Sequence, residues 1–291
     1  MKNPIHFLMT EDILGWNQWR KENPNLIPHL QGQDLSHRDL QNINLSEVIL
    51  SGANLSNVNL RGANCRNANF DGVNFTNAVI HQSNLSKASM KNTNFSHAHI
   101  TDTDFSGVNL NGSNLSKVKL IDCYFIKANL KLVIVNGSDL TNSYFTQANL
   151  TDADFKNSKL KNVDLSNVNA MGADFTRCDL TGANIEDWVI DRTTKLNQVY
   201  CSYFYWALNQ QIDTNSSNLC DLTTFLNQKS DNTRVIMKEN KINFSPAVLN
   251  SYSSQPREAK TTPVNYKQKY LESSIQRLQN NWKNYPNPIN N

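Results

Sequence analysis

Apolar residues recur at every fifth position through most of this chain. From Leu35 to Ile185 the series runs without an insertion, 31 positions holding 16 Leu, 8 Phe, 3 Ile, Cys65, Met90, Val135 and Ala170. A second series sits two residues before each of these centres. It is Ala, Val, Ser, Thr or Cys at 28 of the 31 positions, the exceptions being Gln33, Arg38 and Ile43. The residue just before each centre is mostly Asn or Asp, as in Ala53-Asn54-Leu55 and Ala173-Asp174-Phe175.

A period of five excludes the common regular structures. On an α-helix, five residues sweep about 500°, so successive centres drift around the axis. On a flat strand an odd spacing sends alternate centres to opposite faces. The chain must therefore turn once per repeat, so that each short extended face points its centre inward. The small residue fits near the corner, and solvent takes the three remaining positions.

The number of faces per coil can be read from like residues. Phe centres pair at a spacing of 20 in four cases, Phe75/Phe95, Phe105/Phe125, Phe125/Phe145 and Phe155/Phe175, and never at 15. Four faces per coil would stack Asn54, Asn74, Asn94 and Asn114 in one ladder and Asn109, Asn129, Asn149 and Asn169 in another. Lys119, Asp139, Lys159 and Asp179 alternate in sign at the same spacing. The repeats make nearly eight coils, a rod of roughly 37 Å at about 4.8 Å per coil.

The run Ser51-Gly-Ala-Asn-Leu-Ser-Asn-Val-Asn-Leu-Arg-Gly-Ala-Asn-Cys65 resembles the A(D/N)LXX signature of the pentapeptide-repeat family. The resemblance implies an all-β solenoid, a right-handed quadrilateral β-helix. Trp16-Asn-Gln-Trp-Arg-Lys-Glu-Asn-Pro24 is similar to the lead-in of many cyanobacterial members, which implies a bacterial protein. Lys195 to Trp206, dense in aromatics, and the strand-like pair Arg234–Met237 and Lys241–Phe244 resemble the segment after the repeats in those members. Some members mimic a DNA duplex and inhibit gyrase, and members often dimerise through one rod end, so the chain is expected as a monomer or homodimer.

Four regions are expected. Residues 1–30 form an N-terminal helical cap, since Thr10, Glu11 and Asp12 signal a helix start and Pro24 a stop, with Ile13, Trp16 and Arg20 on one side. Residues 31–190 form the β-helix, and after Ile190 the period stops. Residues 191–250 are a C-terminal capping segment. Residues 251–291 join a linker to a basic amphipathic tail, where Tyr266, Tyr270, Leu271, Ile275, Leu278 and Trp282 recur at helical spacing among Lys267, Lys269, Arg277 and Lys283.

Composition narrows the function more than it identifies it. The net charge is +3. The rod carries 13 positive and 15 negative charges, and residues 191–291 carry 12 and 7. A duplex mimic needs strong negative potential along the rod, so that reading ranks second, and direct nucleic-acid binding is not expected. The five cysteines show no CxxC spacing, and Cys65, Cys123 and Cys178 fall on inward positions, which suits a reducing, cytoplasmic compartment. Ile5 to Met9 is too short for a signal-peptide core, and no apolar run of membrane-spanning length occurs.

Catalytic signatures are missing. There is no P-loop, dinucleotide fingerprint, HExxH or GxSxG stretch, and His97 and His99 lack a third ligand at useful spacing, so no enzyme activity, metal or cofactor is expected. Asp154 and Asp174 would stack at the separation of a retaining glycosidase pair and raise one pKa, but a convex ladder offers no cleft. The expected role is structural, a rigid surface presented to a protein partner of unknown identity. Candidate surface residues are the breaks in the pattern. They are Ile49, Ile134 and the stacked Tyr124 and Tyr144, then Lys117, Lys119, Lys127 and Lys131 nearby, with Tyr266, Tyr270 and Trp282 in the tail.

Overall fold

The computed structural model describes residues 5–207, 210–214, 236–238 and 241–243. From His29 onward, parallel bridges join each residue before a centre to its equivalent 20 residues later, as in Asn54↔Asn74 and Tyr124↔Tyr144. Four repeats therefore make one coil, and the spacing of 20 is the stacking interval. All 31 centres are buried. Gln33 and Arg38, the polar exceptions, lie on the opening coil, where Arg38 reaches Glu11 at 3.7 Å.

Each corner is made by one residue with positive φ. Every fifth residue from Gly32 to Asp187 has it, without exception. The centre carbonyl then accepts from the N–H three residues on, as Leu50 O does from Ala53 N at 2.9 Å. Positive φ at the third residue of such a turn is the type II pattern, which favours Gly and Asn. The Asn or Asp before the centre has its own task. Its Oδ1 accepts the N–H two residues later, as Asn74 does from Thr76 at 3.1 Å, which holds the chain at the start of the turn.

Between corners, each face gives two backbone bonds. The centre N–H donates to the next coil and the outward N–H to the previous one, as in Leu55 N→Asn74 O at 2.8 Å and Asn74 N→Ala53 O at 3.1 Å. One bridging residue per face is too little for a named strand almost everywhere. Only β1 (Val79–His81), β2 (His99–Thr101) and β3 (Lys119–Ile121) reach three residues, stacked in parallel register at one corner. Small inward residues are set by the corner, and most of those with a hydroxyl donate it to a centre carbonyl of the preceding coil, as Ser138 Oγ does to Leu115 O at 2.7 Å, whereas Thr93 Oγ1 donates to Met90 O at 2.8 Å in its own coil.

Along the axis the aromatic centres stack. Phe105, Phe125 and Phe145 form one column with ring centroids 4.9 and 4.8 Å apart and planes within about 5°. The Phe95–Phe105 and Phe145–Phe155 contacts between columns are edge-on. Stacking at the coil spacing lets rings fill the tube without voids, which is where burial contributes most.

Two helices precede the first coil, α1 (Ile5–Met9) and α2 (Ile13–Glu22). Asp12 caps α2 by accepting from Gly15 N. Trp16 and Arg20 are the buried side of α2, as the sequence predicts, whereas α1 is a helix that the sequence pattern does not signal. Groups on the first coil that would bond to an earlier coil bond here to side chains. Trp16 Nε1 donates to Asn44 O at 2.7 Å, Asn17 Oδ1 accepts from Asn44 N at 2.8 Å, and Arg20 Nη2 donates to Ser46 O at 2.8 Å.

At the other end the coiling does not stop at Ile190. The parallel bridges continue as Asp174↔Lys195, Asp179↔Tyr200 and Asn184↔Tyr205, now 21 residues apart. One inserted residue is absorbed where Asp191 Oδ1 accepts from Thr193 N and Thr194 N, while Thr194 Oγ1 donates to Ala170 O. Leu196, Val199, Cys201 and Phe204 continue the buried columns. The expected boundary is an insertion and not an end.

Parallel stacking then gives way to antiparallel pairing. β4 (Val189–Ile190) pairs antiparallel with β8 (Lys241–Asn243), which pairs with β7 (Ile236–Lys238). β5 (Tyr203–Ala207) pairs antiparallel with β6 (Gln210–Asp213). The predicted strand pair near residues 234–244 thus lies on the last coil. No helix among the described residues is long and apolar enough to cross a membrane.

Candidate partner-binding face

The register assigns every outward residue to one of four faces. The first carries Ile49, Asn69, Ser89, Asn109, Asn129 and Asn149; the second Asn54, Asn74, Asn94, Asn114, Ile134 and Asp154. The third carries Val79, His99, Lys119, Asp139, Lys159 and Asp179; the fourth Asn84, Asp104, Tyr124, Tyr144, Asp164 and Asn184.

This separates residues that the sequence groups together. Tyr124 and Tyr144 are stacked on the fourth face, centroids 5.2 Å apart and planes within 5°. Ile134 is on the opposite face beside exposed Leu132, and Ile49 is on the first. Lys119 is on the third face, and Lys117 and Lys127 sit at different corners. Lys131 comes directly after Leu130 at the end of the first face. The four lysines are exposed but do not form one cluster about the tyrosines. Tyr266, Tyr270 and Trp282 lie outside the described residues.

Two further apolar residues flank Tyr124 along the chain, Ile121 and Ile126. Both come directly after a centre, a position that from Gln31 to Glu186 is apolar only at Ile121, Ile126 and Met171. Both are half-buried, as is Tyr144, while Tyr124 is buried between its neighbours. Ile126 ends the fourth face beside Tyr124, with Tyr144 stacked above, and Ile121 ends the third face at the adjoining corner, in register with Thr101. The signal was in the sequence, two positions over from the outward column, on the far side of the centre.

Acids surround this strip. Asp104 lies below Tyr124 and Asp164 beyond Tyr144 on the same ladder, and Asp102 and Asp122 occupy the adjacent corner. Burial raises the Asp104 carboxyl above its ordinary range, against hydrogen bonds from Ser106 and the charge of Arg66. In segments 102–107, 122–127, 142–147 and 162–167 there are four aspartates and one lysine.

On the second and third faces several charges are paired. Lys159 lies 3.6 Å from Asp139 and Lys161 lies 3.1 Å from Asp179. Asp154 and Asp174 are separated by lysine, with Lys156 at 3.0 Å from the first and 4.0 Å from the second, and Lys195 at 3.2 Å from the second. The expectation of a raised pKa is overturned at Asp174. Burial pushes it up, but hydrogen bonds from Thr176 and Lys195 outweigh that and hold it below the ordinary value.

Other chemistry is similarly constrained. Cys65, Cys123, Cys178 and Cys201 are buried, and burial pushes the Cys178 thiol up to about 12, far from the thiolate form that reacts. His81 Nδ1 faces Thr101 Oγ1 at 2.6 Å and Asp102 at 3.5 Å. No group of three metal-ligating side chains occurs among the described residues.

A family model described as pentapeptide repeats matches in eight copies, over residues 39–77, 74–112, 109–147 and 148–187. The chain belongs to the pentapeptide-repeat family. Pentapeptide-repeat proteins are generally non-catalytic structural or interaction proteins, and their β-helix is right-handed. Among solved structures, a trypsin-treated variant of QnrB1, a plasmid-mediated fluoroquinolone resistance protein, is 20% identical with a TM-score of 0.47, over 60% of this chain and 90% of that one. HetL, involved in heterocyst differentiation regulation in Nostoc sp. strain PCC 7120, is 20% identical with a TM-score of 0.23, over 62% and 94%. Rfr23 from Cyanothece 51142 is 20% identical with a TM-score of 0.24, over 53% and 97%. No curated protein matches. None of these likenesses carries a role or a partner over to this chain.

Proposed function

We propose that this pentapeptide-repeat protein is a non-catalytic rod that presents its fourth face to a protein partner. The observation that carries the reading is the stacked pair of Tyr124 and Tyr144, with Ile126 at the end of the same face and Ile121 at the adjoining corner. It is the aromatic patch of a mostly polar rod, with exposed Leu132 and Ile134 on the opposite face. Aromatic residues on a rigid support lose little freedom on contact and dominate many interfaces. The ends serve the same design. Trp16, Asn17 and Arg20 satisfy backbone groups of the first coil, and antiparallel pairing follows the last parallel bridges, which suits caps at both ends.

The duplex-mimic reading has less behind it. It requires an unbroken acidic surface, whereas lysines sit between the acids on the second and third faces.

The test is a photoreactive amino acid placed at exposed Gln147 on the fourth face, and separately at Lys156 on the second, in living cells. A protein partner is expected to crosslink from 147 and not from 156, and to be lost on Tyr144→Asn combined with Ile126→Ser. Equal crosslinking from both positions, or a partner indifferent to the double substitution, overturns the reading.

A further inference from the structure

We propose that the fourth-face strip is occupied, in the free protein, by the chain's own C-terminal segment of residues 264–285. This rests on the fourth face being the docking surface, and it adds that a partner must displace the tail. Three observations converge on it.

The chemistry matches first. The strip is apolar and aromatic with Asp102, Asp104, Asp122 and Asp164 around it and Lys127 as the one opposing charge in those segments. Residues 264–285 carry Lys267, Lys269, Arg277 and Lys283 against a single Glu272, and they space Tyr266, Tyr270, Leu271, Ile275, Leu278 and Trp282 at helical intervals. A net of three negative charges faces a net of three positive ones. A helix with an apolar stripe and basic flanks suits a flat apolar strip with an acidic border.

The direction of the chain is the second. β8 pairs antiparallel with β4 on the first face, Ile242 opposite Ile190 and Asn243 opposite Val189. The coil passes from the fourth face to the first, so a strand running against it leaves Asn243 heading back toward the fourth.

Reach is the third. Twenty-two residues separate Asn243 from Tyr266, enough to extend up to about 75 Å. The way back from Val189 to Tyr144 and Tyr124 is about two to three coils, roughly 15 Å at the stacking interval.

The experiment uses the purified full chain carrying the photoreactive group at position 147, with position 156 as the control, and maps crosslinks by mass spectrometry. Crosslinks from 147 into residues 264–285 are expected within one chain, at a yield independent of protein concentration. They are expected to fall at least about fivefold in about 0.5 M salt, because attraction at an exposed acidic border is screened. Lys267→Glu with Lys269→Glu is expected to have the same effect without changing the unfolding temperature. The proposal is overturned if the tail crosslinks equally from 156, if it crosslinks only between two chains, or if charge reversal leaves the yield unchanged. Loss of the tail contact alongside a partner still captured from 147 in cells removes this inference and leaves the docking face standing. A tail contact with no partner captured does the reverse.

Discussion

The first and fourth faces share one backbone and differ in one outward column. On the first, Asn129 Nδ2 donates to Asn109 Oδ1 at 3.1 Å and Asn149 Nδ2 to Asn129 Oδ1 at 3.4 Å, an amide ladder. On the fourth, the same three levels hold Asp104, Tyr124 and Tyr144 in its place. Yet Leu110 N→Asn129 O is 2.8 Å and Phe125 N→Tyr144 O is 2.7 Å. Exchanging amides for aromatics leaves the coil interval unchanged. The inner columns and the corners therefore carry the fold, and the outward column is left for recognition.

The sharpest way to break that comparison is to set an inner ring against an outer one. Phe125 is stacked on both sides and fully buried, so Phe125→Ala is expected to cost about 3–5 kcal/mol, transfer plus cavity. Tyr144→Asn, which places on the fourth face the residue that the first face uses, is expected to stay within about 0.5 kcal/mol. Urea unfolding of the two variants measures both. A similar loss from each would mean that the outward column supports the fold after all.

Corners give a smaller effect along a single column. Gly52 and Leu132 lie at the same corner four coils apart, with φ of 68° and 59°. A Cβ on Gly52 would meet nothing within 4 Å, so Gly52→Ala reports the left-handed backbone alone, at roughly 1–2 kcal/mol. Leu132, exposed and in the same conformation, should gain on the order of 1 kcal/mol as Leu132→Gly. Thermal unfolding that moves both variants in the same direction would contradict the assignment of this column.

The inner columns were the most legible part of the chain, because one residue in five must be apolar and its neighbour 20 away must fit beside it. The corners were legible in principle. Gly, Asn and Asp fill 22 of the 32 positive-φ positions from Gly32 to Asp187, a bias set by the turn, but Lys, His, Gln, Glu, Arg and Leu in the rest blur it. The end of the rod was hidden by a single residue. The Asp191 loop shifts Leu196 and Cys201 to a spacing of 21, so a search at strict intervals of five loses the register although the columns continue. On the surface, the tyrosine pair was visible as a break at spacing 20. The isoleucines were not, because they occupy a different position of the repeat, Ile126 ending the fourth face and Ile121 the third at the adjoining corner. The lysines misled for the same reason, since nearness in sequence carries them around a corner.

The smallest effect separates the two faces by charge. Asp104 does for the fourth face what Asn does elsewhere, accepting from Ser106 N at 2.8 Å, but it does so as a buried carboxylate. Burial raises its pKa above the unfolded value, so the folded chain holds the proton to higher pH than the unfolded one. Stability from this group is therefore greatest below the unfolded pKa and is lost as pH rises through the folded pKa. Asp104→Asn keeps the turn acceptor and removes the charge, and should stabilise the rod by about 1 kcal/mol at neutral pH. That gain should shrink as pH falls through the carboxylate range, while acids with lowered pKa, such as Asp174 and Asp191, act equally on both proteins and cancel in the difference. Urea unfolding of the pair between neutral and acid pH measures it. A gain that grows toward acid pH would mean that Asp104 is held as a favourable charge, and the fourth face would then owe its acid to the fold and not to a partner.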